Sequence, residues 1–397
     1  MLIPLIVLFL GVGSAWLSGC SASDEMPSAE RYIDDGLEVV VSHAPAWRVE
    51  DSWRLSDTPT LQIGHDESLG EDYIFSGISG ATRTPDGRIV VADRRAAELR
   101  FYDSEGVLLH VAGGRGKGPG EFSWIFNLLR CDENALHAVG ADASVSVFDF
   151  NGRFERRFYP GELAGFLIRY AFVCDRDGRF VVTEQTLEHV GAEGVYRSTA
   201  NMFLLDSGGG GRVIADLGSF PIQERLAGAG GSSSHPLGKQ TSVAIFDGQV
   251  YVGTADIYEI MVFNNTSRPV RRIRRDIQPE RLDEGMVKRY LATWAETLPA
   301  DDRELMLRRF SGADYPDAYP AYARLLVDAL GYLWVEAFRR DFRSPRTWSV
   351  FDPEGIWLGD LEMPSRFHAL EIGDDYVLGR FTGELGQESV RLYALER

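Results

Sequence analysis

Six copies of one unit predict an all-β chain, a six-bladed β-propeller of four-stranded antiparallel blades. Three observations carry this reading: the repeated unit, a last copy that stops one strand short, and long insertions confined to alternate turns. The unit is a short apolar strand, a turn with Asp or Gly, and a second apolar strand. It reads "ATRTPDGRIVVAD" at 81–93, "NLLRCDENALHAVG" at 127–140 and "AFVCDRDGRFVVTE" at 171–184. It recurs as "SVAIFDGQVYVGTAD" at 242–256, "RLLVDALGYLWVEA" at 324–337 and "ALEIGDDYVLGRF" at 369–381. Val, Ile, Phe, Tyr and Leu fill these segments, and the turn residues bound them, as strand chemistry requires.

A third strand follows each copy, such as "ELRFYDSEG", "SVSVFDFNG" and "TWSVFDPEG". The last copy ends after its third strand, "SVRLYALER". Residues near 58–64, in "TPTLQIGHDESLGEDYIF", have the shape of a fourth strand and are expected to close the ring against residues 388–395. Closure removes an exposed sheet edge that would otherwise invite aggregation.

In antiparallel blades, first-to-second and third-to-fourth turns fall on one face, and these are all short. The second-to-third turns and the blade connectors share the other face, called here the top. Every long insertion lies there, at 185–199, 220–240 and 276–320. Insertions on one face of a repeat protein mark it as the binding face. The largest reads as a helical insertion between blades four and five, about 278–312. Pro279 suits a helix start, and Leu282, Met286, Tyr290, Trp294 and Leu298 fall on one apolar stripe. Asp301 and Glu304 have capping-box spacing before a second helix. The insertion serves either as cover for apolar surface beside blades four and five or as a lid.

The connector "GGRGKGPGEF", residues 113–122, is rich in glycine and cations. It is not a phosphate loop, because Lys117 is followed by Gly118 rather than Ser or Thr and no helix follows. Its glycines and Pro119 turn the chain from one blade to the next. With "PDGRIVVADRRAAELRFYDSEG" before it, this connector resembles the NHL-repeat propellers, and more closely the bacterial six-bladed propeller lipoproteins. The resemblance is sharp in the first blade and implies the fold, not an activity.

At the N-terminus, "LSGC" resembles the bacterial lipobox, and by that resemblance Cys20 is the lipidation site after a signal peptide of residues 1–19. The run departs from the pattern in having no Lys or Arg before it; a plain secretory signal or an N-terminal anchor is the other reading. Ser21 after the cysteine points to the outer membrane. Residues 20–36 are polar and read as a flexible tether, leaving 37–397 for the propeller. The expected address is therefore the bacterial cell envelope, with the membrane as a partner through the lipid anchor.

The net charge of −18, from 59 acidic and 41 basic residues, argues against nucleic acid as a partner. The top connectors are nonetheless basic. Arg94, Arg95, Arg115, Lys117, Arg339, Arg340, Arg366 and Arg380 fall there, with Tyr170 nearby, and suit an anionic or sugar-like ligand. The alternative is that Asp93, Glu121, Glu184, Asp256, Glu336 and Asp341 neutralise them between blades. No cofactor is expected. Asp93, Asp142, Glu184, Asp256 and Glu336 at second-strand ends leave Ca²⁺ as an alternative. His189 and His235 sit in long top loops, but no Ser-His-Asp order is present. Cys131 and Cys174 occupy matching places in blades two and three, where a disulfide or two buried thiols are both open. The reading is a binder of a ligand or envelope protein through its top-face loops. The alternative is a propeller hydrolase or lyase acting on a sugar-derived or peptide substrate in the central channel.

Overall fold

The computed structural model describes residues 27–64, 70–160, 168–185, 193–206, 212–228, 231–298 and 300–397. The signal peptide, Cys20, Ser21, His189 and the upstream part of the tether lie outside the described residues. The described chain is mostly β. Its strands form six sheets among the described residues, built in chain order. Sheet 1 holds Ile78–Arg83, Ile89–Asp93, Glu98–Tyr102 and Leu108–Gly113; sheet 2 holds Ile125–Leu129, Ala135–Gly140, Val145–Asp149 and Phe154–Phe158. Sheet 3 begins with Ile168–Cys174 and Arg179–Gln185, and sheet 4 with Ser242–Phe246 and Gln249–Gly253. Sheet 5 holds Arg324–Val327, Leu333–Glu336, Arg346–Phe351 and Trp357–Met363; sheet 6 holds Phe367–Ile372, Tyr376–Thr382 and Glu388–Glu396.

The first strands of the sheets face one another. Their far ends, from Ala81 and Thr82 round to Glu371 and Ile372, line one cavity of about 430 Å³ to which every sheet contributes. Sheet 6 also packs on sheet 1, through contacts of Phe367–Ile372 and Tyr376–Thr382 with Ile78–Arg83. This is the arrangement of a β-propeller. Second strands are buried on both faces, as in the unbroken burial of Ile89–Asp93, while the outermost strand Leu108–Gly113 alternates between half-buried and exposed. The apolar clusters lie mainly between neighbouring sheets. Leu99 and Phe101 meet Ile125, Leu136 and Phe148, and Trp334 and Val350 meet Phe367 and Tyr393.

The last sheet is completed from the N-terminal end of the chain. Leu61–Ile63 pairs antiparallel with Val390–Leu392, and Arg54–Leu55 continues along the same edge against Leu395 and Glu396. Ile63 is buried in the cluster that joins sheet 6 to sheet 1.

Two features depart from four-stranded blades and from the expected loops. Sheet 4 has six strands, because Leu37–Ser42 adds in parallel to Pro269–Arg275 and Ala29–Asp34 pairs with it in turn. The polar segment up to residue 36 is thus not a tether to its end. Asp35 and Gly36 take φ of 49° and 80°, the left-handed pair of a tight hairpin, and Val39 and Val40 are fully buried. Opposite charges fit the hairpin to its neighbour, with Glu38 on Arg271 at 2.6 Å and Asp34 on Arg272 at 3.0 Å. Sheet 3 has five strands. Parts of the segments read as top loops, at 194–199, 220–228 and 231–234, are instead strand, in the long pair Gly194–Asp206 and Arg212–Gly228 with Gly231–Ser234 beside it.

Between sheets 4 and 5 lie two helices, α1 (Glu284–Ala295) and α2 (Ala300–Phe310). Helix α1 starts five residues after Pro279. Asp283 caps it by accepting from the Met286 amide at 2.8 Å. Asp301 lies inside the first turn of α2 rather than at its cap. The buried side of α1 is Val287, Tyr290, Leu291 and Ala295, with Met286 and Trp294 at its margin. These residues form a separate apolar cluster with Leu226 and Leu237 from the sheet 3 ribbon and with Phe310, Tyr319, Phe338 and Phe342. Tyr290 stacks on Phe338, centroids 5.8 Å apart, and its hydroxyl donates to Pro236 O at 2.9 Å. The ribbon and helices therefore make one packed cap on the top face.

Cys131 and Cys174 are bonded, with Cα atoms 5.3 Å apart, joining the first strands of sheets 2 and 3. The bond closes a loop of 43 residues. Chain-entropy arguments give such a link about 3–4 kcal/mol. Reducing agent, or Cys131→Ser, is expected to lower the melting temperature by a few degrees; an unchanged melt in reductant means the bond contributes nothing to stability.

His137 lies wholly buried near this bond, edge-on to Phe180, and neither ring nitrogen has a hydrogen-bond partner among the described residues. Burial pushes its pKa down to about 4, against a smaller upward pull from Asp132. Burial also lowers the pKa of His235. In the unfolded chain these rings take up protons near pH 6.5, which the folded chain refuses until lower pH. Stability is therefore full above about pH 6.5 and falls as pH drops towards the folded values. His137 alone accounts for about 2 kcal/mol between pH 7 and pH 5. Urea titrations at those two pH values measure the loss, and His137→Phe should reduce it. Equal stability at both pH values in the parent chain contradicts this account.

Candidate functional site

The cap leaves a cleft of about 890 Å³ between α1, α2 and the top loops of sheets 5 and 6. Five arginines line it, Arg303, Arg339, Arg343, Arg346 and Arg366, against two carboxylates, Glu296 and Glu384. Thr293, Thr297, Ser365 and Thr382 add hydroxyls. In a chain of net charge −18 this is a local reversal of sign.

Local structure sets each guanidinium. Arg303 donates to Leu298 O and Glu296 O, the free carbonyls past the end of α1. Arg339 lies over the Phe342 ring and donates to Phe342 O and Ser344 O, so its loop is folded on the cap's apolar core. Burial and the neighbouring Arg346 push the Arg339 pKa down to about 10, which still leaves it charged at neutral pH. Arg343 pairs with Glu296 at 2.8 Å and Arg366 with Glu384 at 3.8 Å, both well exposed. Exposed pairs of this kind contribute at most about 1 kcal/mol, so either arginine can exchange its partner for a ligand at little cost.

Beneath the cleft the charges continue into the channel. Glu336 ends the second strand of sheet 5 and is almost fully buried. It accepts from Arg324 Nε at 3.2 Å and from Arg346. Arg324 is the first residue of that sheet's inner strand, and its guanidinium lies 3.0 Å from His368 Nε2 on sheet 6. A nitrogen facing a guanidinium must accept, which puts the proton of the neutral ring on Nδ1. Burial lowers the His368 pKa well below 6.5, and Arg324, Arg346 and Arg380 lower it further. Arg380, cross-strand from His368, donates to Ile78 O at 3.0 Å and faces Glu388 at 3.5 Å. Of the six buried guanidinium nitrogens with no acceptor among the described residues, four lie here: Arg324 Nη2, Arg339 Nε, Arg346 Nε and Arg380 Nε.

Of the residues singled out in the sequence, the structure brings Arg339 and Arg366 into the cleft and Arg380 into the channel below it. Arg340 stands apart, paired with Glu280 and 4.8 Å over the Tyr319 ring. Arg94, Arg95, Arg115 and Lys117 belong to sheets 1 and 2 and do not line the cleft. Arg94 lies 5.7 Å over Phe126, and Arg115 donates to Arg95 O at 2.8 Å. Tyr170 is on the inner strand of sheet 3, and its side chain is outside the described residues. Arg324, His368 and Glu388 were missing from the sequence-based set. Their one signal was a charged or polar side chain at or near a strand start, which the third strands beginning at Glu98 and Glu259 share.

The 113–122 loop folds on its own carboxylate. Glu121 accepts from the Gly118 amide at 2.8 Å, and a Cβ at Gly116 would stand 1.8 Å from Glu121 Oε2. The place a phosphate would need is thus filled by Glu121. The acids considered for Ca²⁺ have protein partners. Asp93 is fully buried and accepts from Ser76 and from the amides of Arg95 and Ala96. Asp142 accepts from Ser144, Glu184 from Asn201, and Asp256 from Arg197. Among the described residues no three His, Cys, Asp or Glu side chains are grouped to hold a metal. His235 is a packing residue, edge-on to Phe310 and accepting from the Leu237 amide.

No protein-family model matches the chain, and no curated protein matches it. Solved structures do. A member of the DUF4221 family from Bacteroides vulgatus is 10% identical, with a TM-score of 0.52 over 87% of this chain and 99% of its own. A protein of Bacteroides fragilis described as exported is 11% identical, with a TM-score of 0.48 over 90% of this chain and 98% of its own. Regucalcin from Agrobacterium tumefaciens, a calcium-binding protein, is 12% identical with a TM-score of 0.41, over 85% and 96% of the two chains. At 10% identity the first likeness speaks for fold alone, and that fold, with the sheet arrangement above, is the β-propeller.

Proposed function

We propose that this chain is a six-bladed β-propeller of the bacterial cell envelope, lipid-anchored at Cys20, that binds an anionic, sugar-like ligand through its top-face loops. The observation that carries the reading is the cleft, where five arginines and four hydroxyls converge on a chain that is otherwise strongly acidic. Hydroxyls and arginine forks recognise sugar hydroxyls and acidic groups. The loops that hold them rest on the cap's own apolar core, so the site is built in advance of binding.

Calorimetry of the purified chain with sulfated, carboxylated and neutral oligosaccharides tests this. Acidic saccharides should bind, and binding should weaken as salt rises. Arg343→Glu and Arg366→Glu should each reduce affinity tenfold or more while changing stability by no more than about 0.5 kcal/mol. Equal binding of neutral and acidic saccharides, or none of either, sinks the proposal.

Lipid anchoring rests on the "LSGC" motif and Ser21. Cys20→Ala should move the protein from the outer-membrane fraction to the soluble fraction of a two-membrane host, and should abolish palmitate labelling. Labelling that survives the substitution excludes Cys20 as the anchor.

A second reading has one observation in its favour: His368 is a neutral imidazole held among Arg324, Glu336 and Arg380 in the channel. In that reading substrate displaces Arg324 from Nε2, and the freed lone pair makes His368 a general base for lysis or hydrolysis of a sugar-derived substrate. Turnover of acidic oligosaccharides that is lost in His368→Ala would favour it over simple binding.

A further inference from the structure

We propose that the channel beneath the cleft is a phosphate-monoester site, which takes the phosphorylated end of the ligand while its body lies between the cap and sheets 5 and 6. This rests on the binding role proposed for the cleft, and narrows the ligand class. Four arginines, Arg324, Arg339, Arg346 and Arg380, face two carboxylates there, Glu336 and Glu388. Apart from Asp341, an exposed acid near Arg339, the excess is two positive charges, which the dianion of a phosphate monoester balances.

The donors make the same selection. Each of the four guanidinium groups keeps one buried N–H without an acceptor among the described residues. Buried donors left unpaired are costly, and a native cluster with several of them is short of an acceptor. One carboxylate offers two oxygens in a single plane, enough for the two arginines that Glu336 already serves. Donors from four separate arginines on several strands call for a group with three acceptor oxygens pointing apart. Glu336 already fills the carboxylate's place between Arg324 and Arg346.

Position links this group to the cleft. Arg339 and Arg346 line the cleft and also border the buried cluster, so a ligand can touch both regions at once. His368 completes the wall. Its neutral ring carries a proton on Nδ1 and adds no charge to the count.

The test uses the purified chain with inorganic phosphate, a hexose 6-phosphate, the matching hexuronate and the unmodified hexose. Broadening of the ³¹P resonance reports phosphate binding without any substitution. Calorimetry is expected to rank the hexose phosphate at least tenfold tighter than the hexuronate, with the hexose weaker still. Arg380→Gln should lose that preference, and Arg324→Lys, which keeps the charge but not the fork, should retain part of it. Equal affinity for phosphate and uronate, or a preference untouched by Arg380→Gln, overturns the phosphate site while leaving an acid-binding cleft in place. Absence of binding by every anion overturns both readings. Should Arg380→Gln fail to fold, the ³¹P measurement and the Arg324→Lys ranking decide alone.

Discussion

Everything on the top face depends on one strand pairing between distant parts of the chain. Leu61–Ile63 lies against Val390–Leu392, across more than three hundred intervening residues. By loop-closure entropy such a contact costs about 5 kcal/mol before any gain from packing. The return comes from burying Ile63 with Ile78, Tyr102, Leu378 and Val390, which locks sheet 6 to sheet 1 and leaves no open gap in the ring. With the ring closed, the inner strands hold fixed positions relative to one another. Arg324 and His368, on neighbouring inner strands, then stand at hydrogen-bond distance without needing any contact of their own to bring them together.

On this scaffold the charges are arranged by depth. At the rim the ion pairs are exposed and easily exchanged, as with Arg343 and Glu296. Within the channel they are buried and shared, with Glu336 serving two arginines. Removing one partner of a buried pair is far more costly than removing an exposed one, by several kcal/mol against less than about one. The deep layer therefore fixes geometry, and the outer layer is free to respond to what arrives.

The repeat was legible because its turns are chemically marked: Asp and Gly between apolar runs leave few alternatives to short antiparallel strands. The closing strand was legible for a related reason, since the last unit lacked one. The N-terminal hairpin was not. Its outer strand, "AERYID", is exposed at almost every position, so burial wrote no pattern into it, and only Asp35-Gly36 marked the turn. The sheet 3 ribbon was hidden by Gly and Ser in segments that pair as strand only because the cap packs against them. In the site, Arg339 and Arg366 stood out as cations in loops. Arg324 and His368 did not, because they sit inside regular strands, and nothing in a linear reading tells that two strand starts forty-four residues apart meet across a channel.

The N-terminal hairpin has a geometric consequence. Ala29 pairs with Ser42, and Ser42 lies beside Arg275, at the end of sheet 4 from which the chain enters the cap. Whatever precedes residue 27 therefore departs from the same side as the cleft. A chain held at Cys20 has at most about 30 Å of backbone to spend before Ala29. Under the anchoring proposed above, such a leash would present the arginines to the anchoring surface and turn the short-looped underside towards open solution.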